Sequence, residues 1–126
     1  MKLEVGQVIG FWTEDVLNPG PDGGSYKYHF CVDAHAGLHL FVCGTEYPFD
    51  FELRKDQCLG LAQDISYISL SRVIEARSIP KKHRIVCQVS DQYLRELLEY
   101  LPKAKSMSEH DKNLVAIGIA GHLNKS

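Results

Sequence analysis

Tyr26-Lys27-Tyr28-His29-Phe30-Cys31-Val32-Asp33, then Ala34-His35-Ala36-Gly37, then Leu38-His39-Leu40-Phe41-Val42-Cys43 is the stretch that decides the fold. Its first part alternates with period two, as a strand does. Tyr26, Tyr28, Phe30 and Val32 share one face, which reads as the core face. Lys27, His29, Cys31 and Asp33 share the other, which reads as polar and solvated. Residues 34–37 read as a turn, and residues 38–43 are a nearly continuous apolar strand. Together they predict a β-hairpin. With a four-residue loop and no irregularity, Asp33 faces Leu38 and Cys31 faces Leu40.

The same pattern extends outward on both sides. Gln7 to Trp12 is a short run of strand formers. Leu17 to Ser25 holds two prolines and three glycines, which forbids regular structure and marks a loop that is either mobile or functional. Tyr47 to Leu53 reads as an irregular edge strand, because Pro48 cannot donate to a ladder. Ile65–Leu70, Val73–Ile79 and Arg84–Val89 are further strand-like pieces. After residue 89 the period changes. Ser90 is an N-cap, and Tyr93, Leu94, Leu97, Leu98 and Leu101 recur at helical spacing until Pro102. Ser108-Glu109-His110-Asp111 resembles a capping box opening a second helix that ends near Gly121. The expected fold is mainly β with C-terminal helices, an α+β chain. Five to six strands form a small barrel or bent sheet over about residues 5–89, covered by one or two helices over about 90–121.

The chain has 126 residues, which is one domain and leaves no room for a second. Its 44% apolar and 24% charged content is that of an ordinary globular protein. A net charge of -2 argues against a polycation that coats nucleic acid, while leaving room for a local basic patch. The N-terminus shows no apolar signal region, and Leu114–Ala120 is too short for a membrane helix, so a cytoplasmic location without membrane contact is expected. Accordingly Cys31, Cys43, Cys58 and Cys87, none closely paired, read as four reduced thiols in the core.

Three groups of side chains carry possible chemistry. Cys31, His35, His39 and Cys43 are all zinc-ligand types spaced by four, but in the unshifted hairpin Cys31 and Cys43 lie on opposite faces. A one-residue register change would reunite them. Lys27 and His29 share a face beside the Pro/Gly loop, and antiparallel pairing brings Thr45 to the same end. Such a trio suits a phosphodiester: Lys27 for negative charge, His29 for proton transfer, Thr45 for a phosphate oxygen. Lys81, Lys82 and Arg84 belong to the one dense basic run and could guide an RNA backbone. No P-loop, nucleophile elbow, H-E-x-x-H or G-x-G-x-x-G is present. Trp12, Tyr47 and Phe49 would suit a protein interface, and read more simply as core.

Gly6-Gln7-Val8-Ile9, the long loop, Lys27 to Val32, Leu38 to Thr45, Asp64-Ile65-Ser66-Tyr67-Ile68 and the capped Leu-rich helix together resemble the PemK/MazF-like toxins, in particular divergent phage or mobile-element members. The resemblance spans roughly residues 5 to 101. It implies an SH3-like barrel that acts as a toxin–antitoxin endoribonuclease. It further implies cleavage of single-stranded RNA without metal or other cofactor, a homodimer, and a cognate antitoxin partner. On that reading Lys27, His29 and Thr45 are catalytic, and Lys81, Lys82 and Arg84 bind RNA. The family's usual Arg-Pro at the second strand is absent, and Lys27 offers a point charge instead of a bidentate fork. The alternative is a non-catalytic SH3-like module, a phage or plasmid factor that binds a host protein.

Overall fold

The computed structural model describes residues 3–12, 26–75, 79 and 81–125. The Leu17–Ser25 loop and the Trp12 side chain lie outside the described residues. Seven strands are described: β1 (Gln7–Trp12), β2 (Tyr26–Asp33), β3 (Leu38–Cys43), β4 (Phe51–Arg54), β5 (Ile65–Ile68), β6 (Ile74–Glu75) and β7 (Arg84–Gln88). Helices α1 (Asp91–Tyr100) and α2 (Glu109–Leu123) follow, joined through a 3-10 turn at Leu101–Lys103. The strands pair antiparallel in the order β4-β5-β3-β2-β1-β7, with β6 on the far half of β3. The result is a curled, half-barrel sheet with two C-terminal helices.

The β2–β3 hairpin forms as expected but carries a bulge. Tyr28 faces Val42 and Phe30 faces Leu40. Cys31 then faces His39, and after the shift Asp33 faces Leu38. A bulge inserts one unpaired residue and re-aims its neighbours. It therefore corrects the unshifted register and puts Cys31, His39 and Cys43 on one face of the sheet.

Both faces of the sheet are covered, which corrects the expectation of a solvated second face. The larger core joins Phe30, Val32, Leu40, Val42 and Ile68 to Leu94 and Leu97 of α1 and Val115 and Ile119 of α2. Across the sheet, Ile9, Phe11 and Ile74 form a smaller core with Leu3, Phe41 and Ile79 against it. His29, Cys31 and His39 are fully buried on that side. Strand β2 thus reads as alternating in sequence, yet its central residues are buried on both sides.

The helices start where their caps stand. The Ser90 hydroxyl accepts the Tyr93 N–H at 3.2 Å, and the Ser108 hydroxyl accepts the Asp111 N–H at 3.1 Å. Asp111 also accepts the Val73 N–H at 3.0 Å and so ties α2 to the approach of β6. Tyr93 anchors α1 by donating its hydroxyl to the Glu52 carbonyl at 2.8 Å. Its ring meets Phe30 and Phe51. His122 near the end of α2 lies 3.5 Å from Asp91 at the start of α1. Among the described residues no helix is long and apolar enough to cross a membrane.

Cys58 and Cys87 form a disulfide with Cα atoms 5.3 Å apart. This corrects the expectation of four reduced thiols. Cys31, buried, and Cys43, half-buried, remain free. The two bonded cysteines stand 29 residues apart, on the loop after β4 and on β7, so only the curl of the sheet brings them together.

Candidate functional site

The open end of the β2–β3 hairpin holds a two-lobed groove. Its outer lobe, a cavity of ≈ 270 Å³, is lined by Tyr26, Lys27, Tyr28, residues 42–45 and Tyr47. Its inner lobe, ≈ 190 Å³, shares Tyr28, Val42, Cys43 and Gly44 and adds Leu61, Ala62, Gln63 and Ser66. Antiparallel pairing puts the start of β2 beside the end of β3, which is why Lys27 and Thr45 meet here. Tyr26 packs edge-on against Tyr28 with ring centroids 5.7 Å apart.

Tyr47 reaches the groove from a tight turn that follows β3. Tyr47 donates its N–H to Asp50 Oδ2 at 3.2 Å, and the Asp50 N–H returns to the Tyr47 carbonyl at 3.1 Å. Asp50 Oδ1 also accepts the Leu70 N–H at 3.2 Å. Within this turn Phe49 sits at a φ of 68°, in the left-handed region that a bulky residue rarely occupies. The turn presents Tyr47 at 60% and Phe49 at 39% exposure. Neither ring belongs to the core, contrary to the simpler reading of their sequence.

His29 is placed differently from Lys27 and Thr45. It follows Lys27 by two residues and shares its face, but does not line the groove. Its ring stacks on Phe11 at 4.1 Å and 8°, with Phe41 at 5.2 Å and His39 at 6.0 Å. None of the four ring nitrogens of His29 and His39 has a hydrogen-bond partner among the described residues. Burial, and then the neighbouring His39, lowers the His29 pKa to about 4; burial alone lowers that of His39 to about 4. Both rings are therefore neutral near pH 7. Lys27 Nζ lies 6.0 Å from the Phe41 centroid, over the ring and at the rim of this second core.

The basic run divides in two. Lys81 and Lys82 are exposed in the turn before β7 and line neither lobe. Arg84 opens β7 opposite Gly10, which in turn faces Tyr28. Arg84, Gly10 and Tyr28 thus form one row across three strands, with the outer two about 10 Å apart at two strand spacings. The Arg84 guanidinium donates to the Gly60 carbonyl at 2.9 Å and braces the loop that carries Leu61–Gln63. As for metal, the described residues hold no group of three or more His, Cys, Asp or Glu able to bind an ion, the Cys31/His35/His39/Cys43 run included.

Sequence reasoning missed the inner wall. Leu61, Ala62 and Gln63 carry no periodic signal, and their loop is brought to the hairpin by the pairing of β5, which carries Ser66, with β3. Gln63 packs across Gly44: a Cβ added there would meet the Gln63 amide oxygen at 2.8 Å. No family model matches this chain, and neither does any curated protein or solved structure.

Proposed function

We propose that the chain is an SH3-like barrel of the PemK/MazF type that binds single-stranded RNA in the groove between β2, β3 and the 55–64 loop. The observation that carries this reading is the convergence of Lys27 and Thr45 with Tyr26, Tyr28 and Tyr47. Unpaired bases stack on tyrosine rings with little sequence preference, and a single cation beside a hydroxyl suits one backbone phosphate. Lys27 supplies charge, Thr45 a hydrogen bond, and the tyrosines the stacking area. The reading also entails an antitoxin segment and a second copy of the chain as protein partners, both within a cytoplasmic setting.

Scission is the weaker half of the toxin reading. His29 was the residue to move protons there, and it is shut into the second core with its pKa lowered to about 4. We therefore assign Lys27 and Thr45 to phosphate binding and His29 to packing. The test is fluorescence anisotropy with a labelled, unstructured RNA oligonucleotide, run with chelator present and followed by gel analysis of the RNA. Binding that weakens about tenfold in Lys27→Ala, at the scale of one lost charged contact, is expected. Full-strength binding in Lys27→Ala, or none in the wild type, sinks the proposal. Metal-independent cleavage that His29→Phe abolishes would restore the catalytic reading.

The exposed Tyr47–Phe49 turn favours a second reading, a non-catalytic module that docks a protein partner. Aromatic rings held outward on an ordered turn are typical of interface anchors. A partner retained in pull-downs by Lys27→Ala but lost by Tyr47→Ala would select this reading over the first.

A further inference from the structure

We propose that the Cys58–Cys87 disulfide is a redox latch on the inner wall of the groove, opened by a dithiol reductant. The groove's role in RNA binding belongs to the preceding proposal; the latch itself rests on the seam described next. Strands β4 and β7 end the sheet order, so among the described residues neither has a strand neighbour on its outer side. The loop after β4 bridges that gap and touches β7 at three successive points. Cys58 bonds to Cys87, the Gly60 carbonyl accepts from Arg84, and Gly60 lies against the Val86 backbone. A side chain at position 60 would collide with the Val86 carbonyl, so only glycine allows this approach. Residues 61–63 of the same loop are the groove's inner wall. The covalent bond thus fixes the segment whose position sets the groove's width.

Once the bond is open the loop keeps its own backbone bonds, among them Lys55 N–H to the Asp64 carbonyl at 2.8 Å, Gln57 N–H to the Arg54 carbonyl at 2.9 Å and Leu61 N–H to the Cys58 carbonyl at 3.1 Å. These run within residues 54–64 and tie nothing to β7. Arg84 and Gly60 are both exposed, and Leu61 is the loop's main buried apolar side chain after Cys58. Cys87 is the more exposed residue of the pair, half-buried where Cys58 is fully buried, which favours attack at its sulfur. A thiolate of the reductant attacks the Cys87 sulfur, and Cys58 leaves as a thiolate and takes a proton from water. The reductant's second thiol then attacks the mixed disulfide and frees Cys87. Two electrons and two protons pass to the protein, and the reductant ends as a disulfide.

Amide hydrogen exchange on the intact chain, before and after dithiothreitol, tests the latch, with thiols counted by alkylation in denaturant. Two labelled cysteines are expected before reduction and four after. Exchange across residues 57–63 should quicken about tenfold or more on reduction, while α1 keeps its protection. The Cys58→Ser variant should exchange like the reduced wild type and ignore the reductant. Four thiols before reduction, unchanged exchange in 57–63 afterwards, or protection lost through α1 as well, each overturns the latch. RNA affinity, measured in parallel, should fall about tenfold on reduction as a preorganised wall is released. Absence of RNA binding in both states overturns the RNA reading, and the exchange result still decides the latch.

Discussion

His29 and His39 place two imidazoles in the second core, against Phe11, Phe41 and Ile74, with no partner for any ring nitrogen among the described residues. Their folded pKa values are lowered to about 4, against 6.5 for the free side chain. A lowered imidazole pKa means that the unfolded chain binds more protons between those two values. Stability is then fully present above about pH 6.5 and falls as the pH drops toward 4, by about 1.4 kcal/mol per pH unit for each ring. Urea unfolding measured from pH 8 to pH 4 should show this decline, and His39→Leu should flatten it; a pH-independent wild type would refute it. The sequence shows why half of this neighbourhood was legible. Lys27 and Thr45 meet because antiparallel strands must bring those two positions to one end. The burial of His29 was hidden because Phe11, Phe41 and Ile74 come from three other strands, and alternation within β2 says nothing about what covers its second face.

At the scale of elements, α2 shows how close approach governs packing. Gly118 lies against the Val32 carbonyl of β2, and a Cβ there would collide with that backbone oxygen. Gly121, one turn on, has nothing within 4 Å of an added Cβ. The two glycines should therefore respond oppositely to the same substitution. Gly118→Ala should destabilise the protein by about 1–3 kcal/mol through overpacking, while Gly121→Ala should stabilise it by up to about 1 kcal/mol through helix propensity. Thermal unfolding of both variants checks the pair, and equal effects would remove the argument. The elements themselves were legible where local chemistry is strong. Strands β1, β2 and β3 begin and end where the apolar runs do, and both helices start at their serine caps. Strand β4 begins later than the apolar run 47–53, because Tyr47 and Asp50 close a hydrogen-bonded turn around Pro48 and Phe49. Strand β6 is described over Ile74–Glu75, paired with Leu38 and His39 at the start of β3, and residues 76–78 of the expected piece lie outside the described residues.

At the scale of the whole molecule, a net charge of -2 and a groove with one lysine set how the proposed RNA binding would depend on salt. Counterion release gives a slope of about -0.7 in log K against log salt for each phosphate neutralised on a single strand. Lys27 alone would give that value. With Arg84 held by Gly60, and Lys81 and Lys82 outside both lobes, the total should stay close to that value, no steeper than about -1. Stacking on Tyr26, Tyr28 and Tyr47 must then supply most of the affinity, at about 1–3 kcal/mol per base, and stacking is insensitive to salt. Anisotropy titrations from low to high sodium chloride should therefore give a shallow line. Lys27→Ala should lower its magnitude by about 0.7. Tyr28→Ala should weaken binding at every salt concentration and leave the slope unchanged. A slope steeper than about -4 would mean that the RNA lies along the exposed basic turn rather than in the groove, since no set of groove residues described here holds enough cations to produce it.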